Sequence, residues 1–177
     1  TDEFGERFFT RAGMLWHGLR QRTNPNGKKQ KQSPQYVGCV NKFKDFQDFA
    51  EWCQVQVGYK ENYHLDKDII LKGNKEYSKE TCSFVPQEIN KLFTKRQSCR
   101  GDYPIGVAKD KSGLRADCQI GVGAAKFLGY YATPEEAFTA YKVFKESYIK
   151  EQAKYWRGSI SNQVYEAMMN YQVEITD

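Results

Sequence analysis

With 177 residues and a mass of 20.6 kDa, the chain can form one compact domain or two small ones, and a multi-lobed enzyme is excluded. Hydrophobic residues make up 40% and charged residues 28%, a globular composition that rules out wholesale disorder. The formal charge of +5 is uneven: residues 1–100 carry 18 Lys/Arg against 12 Asp/Glu, while residues 101–177 carry 9 against 10, so a polyanion would be drawn to the first half.

No apolar run approaches the ~20 residues of a membrane span, and the N-terminus lacks a signal-peptide pattern. The expectation is a soluble, cytoplasmic protein with no membrane partner. The five cysteines, Cys39, Cys53, Cys82, Cys99 and Cys118, are odd in number and scattered, with no CxxC pair. That argues against a disulfide framework and a cysteine zinc site, and for small buried side chains in a reducing compartment. With only His17 and His64, a catalytic metal must take oxygen ligands, which favours magnesium over zinc.

In chain order, residues 11–22 read as a short helix, with Leu15 and Leu19 four apart. Residues 23–35 (TNPNGKKQKQSPQ) read as a loop by composition, solvated or lying along a phosphate backbone through Lys28, Lys29 and Lys31. Residues 36–40 suit a short strand. Residues 43–55 have the spacing of an amphipathic helix, with Phe43, Phe46, Phe49, Ala50 and Cys53 inward. Residues 63–71 and 81–85 form the arms of a hairpin turning at Lys72–Lys75, and Pro86 opens a helix through Ile89, Asn90 and Phe93. The polar stretch from Arg96 to Asp102 reads as a linker.

Beyond it, Pro104–Ala108, Leu114–Ile120 and Lys126–Tyr130 read as three strands, with turns at Lys109–Gly113 and Gly121–Ala125. Thr133-Pro134-Glu135-Glu136 is a strong helix start, with Thr133 as N-cap and Glu136 closing a capping box. That helix is expected to run to about Trp156, with a shorter one from Ser161 to about Tyr171. The fold class is therefore α+β: a strand–turn–strand–helix unit over residues 1–100, then a three-stranded antiparallel sheet packed on a long helix over residues 101–177.

Side chains at i, i+2 and i+4 of a strand point to one side, so His64, Asp66 and Asp68 share a face. That face is either a solvated edge or, beside a helix carrying Asn90, a place for a cation. In the second half, alternation along Leu114–Ile120 turns Arg115, Asp117 and Gln119 outward. Arg and Gln on a sheet can read guanine and adenine in a major groove, with Lys109, Lys111 and Lys126 at strand ends on phosphates. An ordinary polar sheet face has the same pattern.

The stretch 63–93, with Leu65-Asp66-Lys67-Asp68, Gly73-Asn74-Lys75 and Phe84-Val85-Pro86 leading to Ile89-Asn90, resembles the ββα-metal core of HNH endonucleases, in particular the phage-type homing enzymes. The stretch LGYYATPEEAFTAY, with Pro104-Ile105-Gly106-Val107, resembles the DNA-binding domain of plant ethylene-response factors, a module also found fused to phage HNH enzymes. Together the resemblances cover about residues 60–157. The surroundings of Trp16, Tyr36 and Trp52 are also similar to the phage family.

The resemblance implies a metal-dependent endonuclease that hydrolyses double-stranded DNA at a site read by its second half. It assigns Asp66, Asp68 and Asn90 to a divalent cation, magnesium or manganese. The family places histidine directly after the metal acid, where this chain has Lys67, and His64 is the candidate substitute. The orienting asparagine position holds Thr81, with Asn74 nearby as stand-in, so His64, Lys67 and Asn74 form the catalytic set. One metal hairpin per chain implies nicking, or double-strand cleavage by a homodimer. A phage protein of this kind works in the host cytoplasm. Lys67 at the base position leaves an alternative: a non-catalytic, sequence-specific DNA-binding protein with a degenerate HNH fold.

Overall fold

The computed structural model describes residues 10–61, 63–94, 102–121 and 124–177. The chain is mixed α+β and divides into two compact units, Thr1–Val85 and Pro86–Asp177. The sequence places the division after residue 100. Residues 96–101 of the expected linker lie outside the described residues, as do 122–123 of the expected turn.

In the first unit, helix α1 (Arg11–Thr23) starts where the Gly13 N–H donates to Thr10 Oγ1, and it buries Ala12 and Leu19. The expected loop at 23–35 is partly helical: Lys28–Gln32 forms α2. Its fixed point is Gln30, whose buried amide donates to the Arg22 and Cys39 carbonyls at 3.0 and 2.8 Å. One side chain thus holds two backbone oxygens together, which composition does not reveal. The strand expected over 36–40 is also corrected. Pro34–Tyr36 is a 3₁₀ turn, and strand β1 is only Val40–Asn41.

Helix α3 (Phe46–Gln54) is capped by Asp45, whose carboxylate accepts from the Asp48 N–H. Its apolar stripe faces the core, except that Phe46 is 40% exposed. Phe43, Phe49 and Trp52 stack with centroids 5.0–6.0 Å apart, and Trp52 meets Phe84 at 5.8 Å. Each tilted or edge-to-face pair adds to its area burial by about 0.5–1.5 kcal/mol.

The hairpin is shorter than its sequence pattern. Strand β2 is His64–Asp66, strand β3 is Glu76–Tyr77 and strand β4 is Ser83–Val85. β2 pairs antiparallel with β4, His64 opposite Val85 and Asp66 opposite Ser83. β3 instead pairs in parallel with β1. The strand ends at Asp66 because Oδ1 of that residue accepts the N–H groups of Asp68 and Ile69, at 2.7 and 2.8 Å. Such a side-chain bond replaces the ladder bonds that would extend a strand.

In the second unit, Pro86 precedes helix α4 (Gln87–Leu92). The sheet runs in the order β5 (Val107–Asp110), β6 (Gly113–Gly121), β7 (Ala124–Tyr131), antiparallel throughout. β5 begins later than the sequence pattern indicates, because Gly106 has a φ of +80°. No other residue fits there, since a Cβ would sit 2.1 Å from the Tyr141 ring. Helix α5 (Pro134–Tyr155) has the full capping box at Thr133 and Glu136. Its Ala137, Phe138 and Tyr141 pack with Val107, Ala116 and Cys118 of the sheet. Helix α6 (Asn162–Met169) is capped by Ser161 and buries Val164 and Met168.

Candidate functional site

The residues assigned to catalysis fall on β2 and on the excursion that follows it. His64 is exposed, two positions before the partly buried Asp66 and on the same face of β2. Burial pushes the Asp66 carboxyl above the usual carboxylate range, and the charge of Asp68 adds to the rise. The two N–H bonds to Oδ1 act in the opposite sense.

Asp68 does not continue that face. The backbone turns at Asp66, and both Asp68 oxygens accept from Lys67 Nζ, at 2.7 and 2.8 Å. Lys67 is only 5% exposed, and its ammonium also donates to the Asn74 carbonyl at 2.6 Å. Asn74 answers with its own side chain, donating to the Lys67 and Glu76 carbonyls at 2.8 and 2.6 Å and accepting the Glu76 N–H at 2.9 Å. Lys67 and Asn74 thus latch residues 67–76 closed. Thr81 serves the same stretch, donating to the Glu76 carbonyl at 2.9 Å.

A divalent cation needs oxygen donors not already committed to another cation. Asp66 fits that need, because a bound positive charge reverses the effect of burial on its carboxyl. Asp68 does not fit while Lys67 holds both its oxygens. Asn90 lies on α4, in the second unit. Among the described residues, no group of three or more histidine, cysteine, aspartate or glutamate side chains could hold a metal ion.

The basic residues assigned to phosphates are all at the surface. Lys28, Lys29 and Lys31 are exposed on α2, spaced around the buried Gln30. Lys109, Lys111 and Lys126 are exposed in the second unit. By register, Lys109 lies opposite Leu114 and Lys126 opposite Cys118, positions on the helix-facing side of the sheet, whereas Lys111 is in the β5–β6 turn. They occupy the rim, not the face that carries Arg115 and Gln119.

That outer face is built by β6 and β7. Arg115 lies opposite Tyr130, and Asp117 opposite Phe127, with a bulge between Ala116 and Asp117. Phe127 and Tyr130 are about half exposed and meet edge to face at 5.2 Å. Arg115 lies between two carboxylates: its Nε is 2.8 Å from Asp117 and its Nη1 3.6 Å from Asp110. Asp110 is held below the usual carboxylate range, first by the Ser112 N–H and then by Tyr130, whose hydroxyl donates to it at 3.1 Å. Gln119 is exposed and donates to the Gly121 carbonyl at 2.8 Å. The pairing of Arg115 with Asp110 and Asp117, and the aromatic pair beside it, were missed by sequence reasoning. Cross-strand register carries both, and no single strand displays it.

The chain matches no family model, no curated protein and no solved structure. No helix among the described residues is long and apolar enough to cross a membrane.

Proposed function

We propose that the chain is a metal-dependent DNA endonuclease of the HNH homing type, with the outer face of β5–β7 reading the target. The observation that carries this reading is the order around Asp66. An antiparallel strand pair, with His64 and Asp66 on one face of its first strand, runs through Pro86 into a helix. In this reading Asp66 holds a magnesium or manganese ion, and Asn90 joins it on the resemblance alone. The bound ion supplies positive charge for the scissile phosphate and the leaving oxygen. His64 accepts the proton of the attacking water. Arg115 and Gln119 face base edges. Lys28, Lys29, Lys31, Lys109, Lys111 and Lys126 hold phosphates of double-stranded DNA. Double-strand cleavage requires a homodimer, and a single chain nicks.

One observation favours the second reading, a sequence-specific DNA-binding protein without cleavage. The residue at the family's histidine position, Lys67, is buried and bonded to three acceptors. Supercoiled plasmid incubated with the protein and magnesium or manganese separates the two. The Asp66→Asn variant is the control, because an amide oxygen can still accept the Asp68 and Ile69 N–H groups. The expected result is relaxation by the wild type, none by Asp66→Asn, and a loss of about 10²–10⁴ in rate for His64→Ala. Selective binding without cleavage supports the second reading. Relaxation by Asp66→Asn at the wild-type rate rejects the metal assignment.

A further inference from the structure

The second unit contains a cavity of about 830 Å³ whose wall includes Lys145, Tyr148, Ile105 and Val107. Lys145 belongs to the buried stripe of α5 with Phe138, Tyr141, Ile149 and Ala153, and it is the only charged residue in that stripe. It is 7% exposed. Among the described residues it has neither a hydrogen bond nor an ion pair, although its helix neighbours are engaged. Lys142 pairs with Glu146 at 2.9 Å, and the Tyr148 hydroxyl donates to the Ile120 carbonyl at 2.6 Å. Burial pushes the Lys145 ammonium below its ordinary value, and among the described residues the one titratable group whose field reaches it is the Cys118 thiol. An ammonium largely withdrawn from water, with no anion beside it, is a costly arrangement. A charged partner entering from the cavity removes that cost.

We propose that this cavity is the binding site of a small organic monoanion with a flat apolar body, a carboxylate meeting the Lys145 ammonium. The volume lies within the ~300–1,000 Å³ range of small-molecule sites. Phe93 and Tyr171, edge to face at 4.9 Å, supply aromatic wall for the body. The wall's charges select a single negative charge. Glu88, Asp117 and Asp177 line the cavity alongside Lys91 and Lys145, so a phosphate dianion meets more repulsion than a carboxylate. Asp117 is already paired with Arg115, and Asp177 accepts the Glu174 N–H at 2.9 Å.

The probes are 2-naphthoate, its neutral analogue 2-naphthalenemethanol, and inorganic phosphate, titrated into the full chain by calorimetry and by backbone amide NMR. The expected result is saturable naphthoate binding that shifts the amides of Gly106, Ile120 and Tyr148. The alcohol should bind at least about tenfold more weakly, the effect of one lost charge-assisted hydrogen bond, and phosphate more weakly still. Lys145→Met, close in volume and relieved of a buried charge, should bind both naphthalenes alike. Equal binding of acid and alcohol by the wild type overturns the proposal whether or not the variant folds. So do amide shifts confined to other parts of the chain, phosphate binding tighter than naphthoate, or a preference for the acid that survives in Lys145→Met.

Discussion

Asn74 is the residue on which the excursion after β2 turns. Both amide hydrogens and the carbonyl of its side chain are engaged, in a position 7% exposed. Asn74→Ala removes three hydrogen bonds, taking the donor from the Lys67 carbonyl and the acceptor from the Glu76 N–H, while Thr81 still donates to the Glu76 carbonyl. Buried polar groups so orphaned lose about 1–3 kcal/mol each, so a total loss of about 2–4 kcal/mol is expected. Urea unfolding measures it. A residue that only oriented a catalytic histidine would leave the unfolding midpoint where it was. Asn74→Asp should be no milder, since it replaces two donors with a carboxylate facing carbonyl oxygens. Sequence reading brings Asn74 and Lys67 forward by their place in a motif. It does not show that they bond to each other across seven positions, because that depends on the path of the intervening backbone.

At the level of the element, the three-stranded sheet presents an arginine already held by its own carboxylates. DNA phosphates and bases must therefore compete with Asp110 and Asp117 for Arg115. Asp117→Asn removes the nearer acid while keeping the shape, so it should strengthen duplex binding several-fold. Arg115→Ala should cost about 1–3 kcal/mol at one base position and relax selectivity there. Binding titrations against target and singly substituted duplexes at two salt concentrations read both effects. Weaker binding by Asp117→Asn would mean that the carboxylate itself accepts a base donor. Elements governed by local chemistry were legible in the sequence: the capping box at Thr133 and Glu136, the aromatic stripe of α3, and the alternation along β6. The start of β5, the bulge in β6–β7, the helix at 28–32 and the buried Lys145 were not. Each follows from a partner far along the chain, such as Tyr141 against Gly106 or Cys39 against Gln30.

Across the whole molecule, the buried acids give stability a defined response to alkali. Burial pushes the Cys53 and Cys82 thiols and the Tyr171 hydroxyl each up to about 12, and Tyr77 rises in the same sense. Unfolded thiols titrate from 9.0 and unfolded tyrosines from 10.0. The folded chain therefore keeps these protons longer than the unfolded one. Their contribution is complete below about pH 9 and declines as the pH rises toward 12. Lys145 acts oppositely, since a depressed ammonium favours folding as the pH climbs, but it is one group against these four and against the Cys39, Cys118 and Tyr148 protons that burial also raises. The urea midpoint should fall between about pH 8 and about pH 10.5, and less so in Cys53→Ala or Cys82→Ala measured against its own midpoint at pH 8. A midpoint unchanged over that interval contradicts the burial of these groups.

The aromatic cluster of the first unit is completed from its far end. Trp52 and Tyr59 both pack on Phe84, and the Arg11 guanidinium lies over the rings of Tyr59 and Phe84. Phe84 stands one position before the end of that unit. Chains emerge from the ribosome N-terminus first, so Trp52 and Tyr59 are both synthesised before the ring that packs on them. A chain arrested by a premature stop codon, or cut by a protease, anywhere upstream of Phe84 keeps those rings uncovered. Such a fragment presents a sticky apolar face, and a cell's quality-control machinery would meet it as a misfolded product.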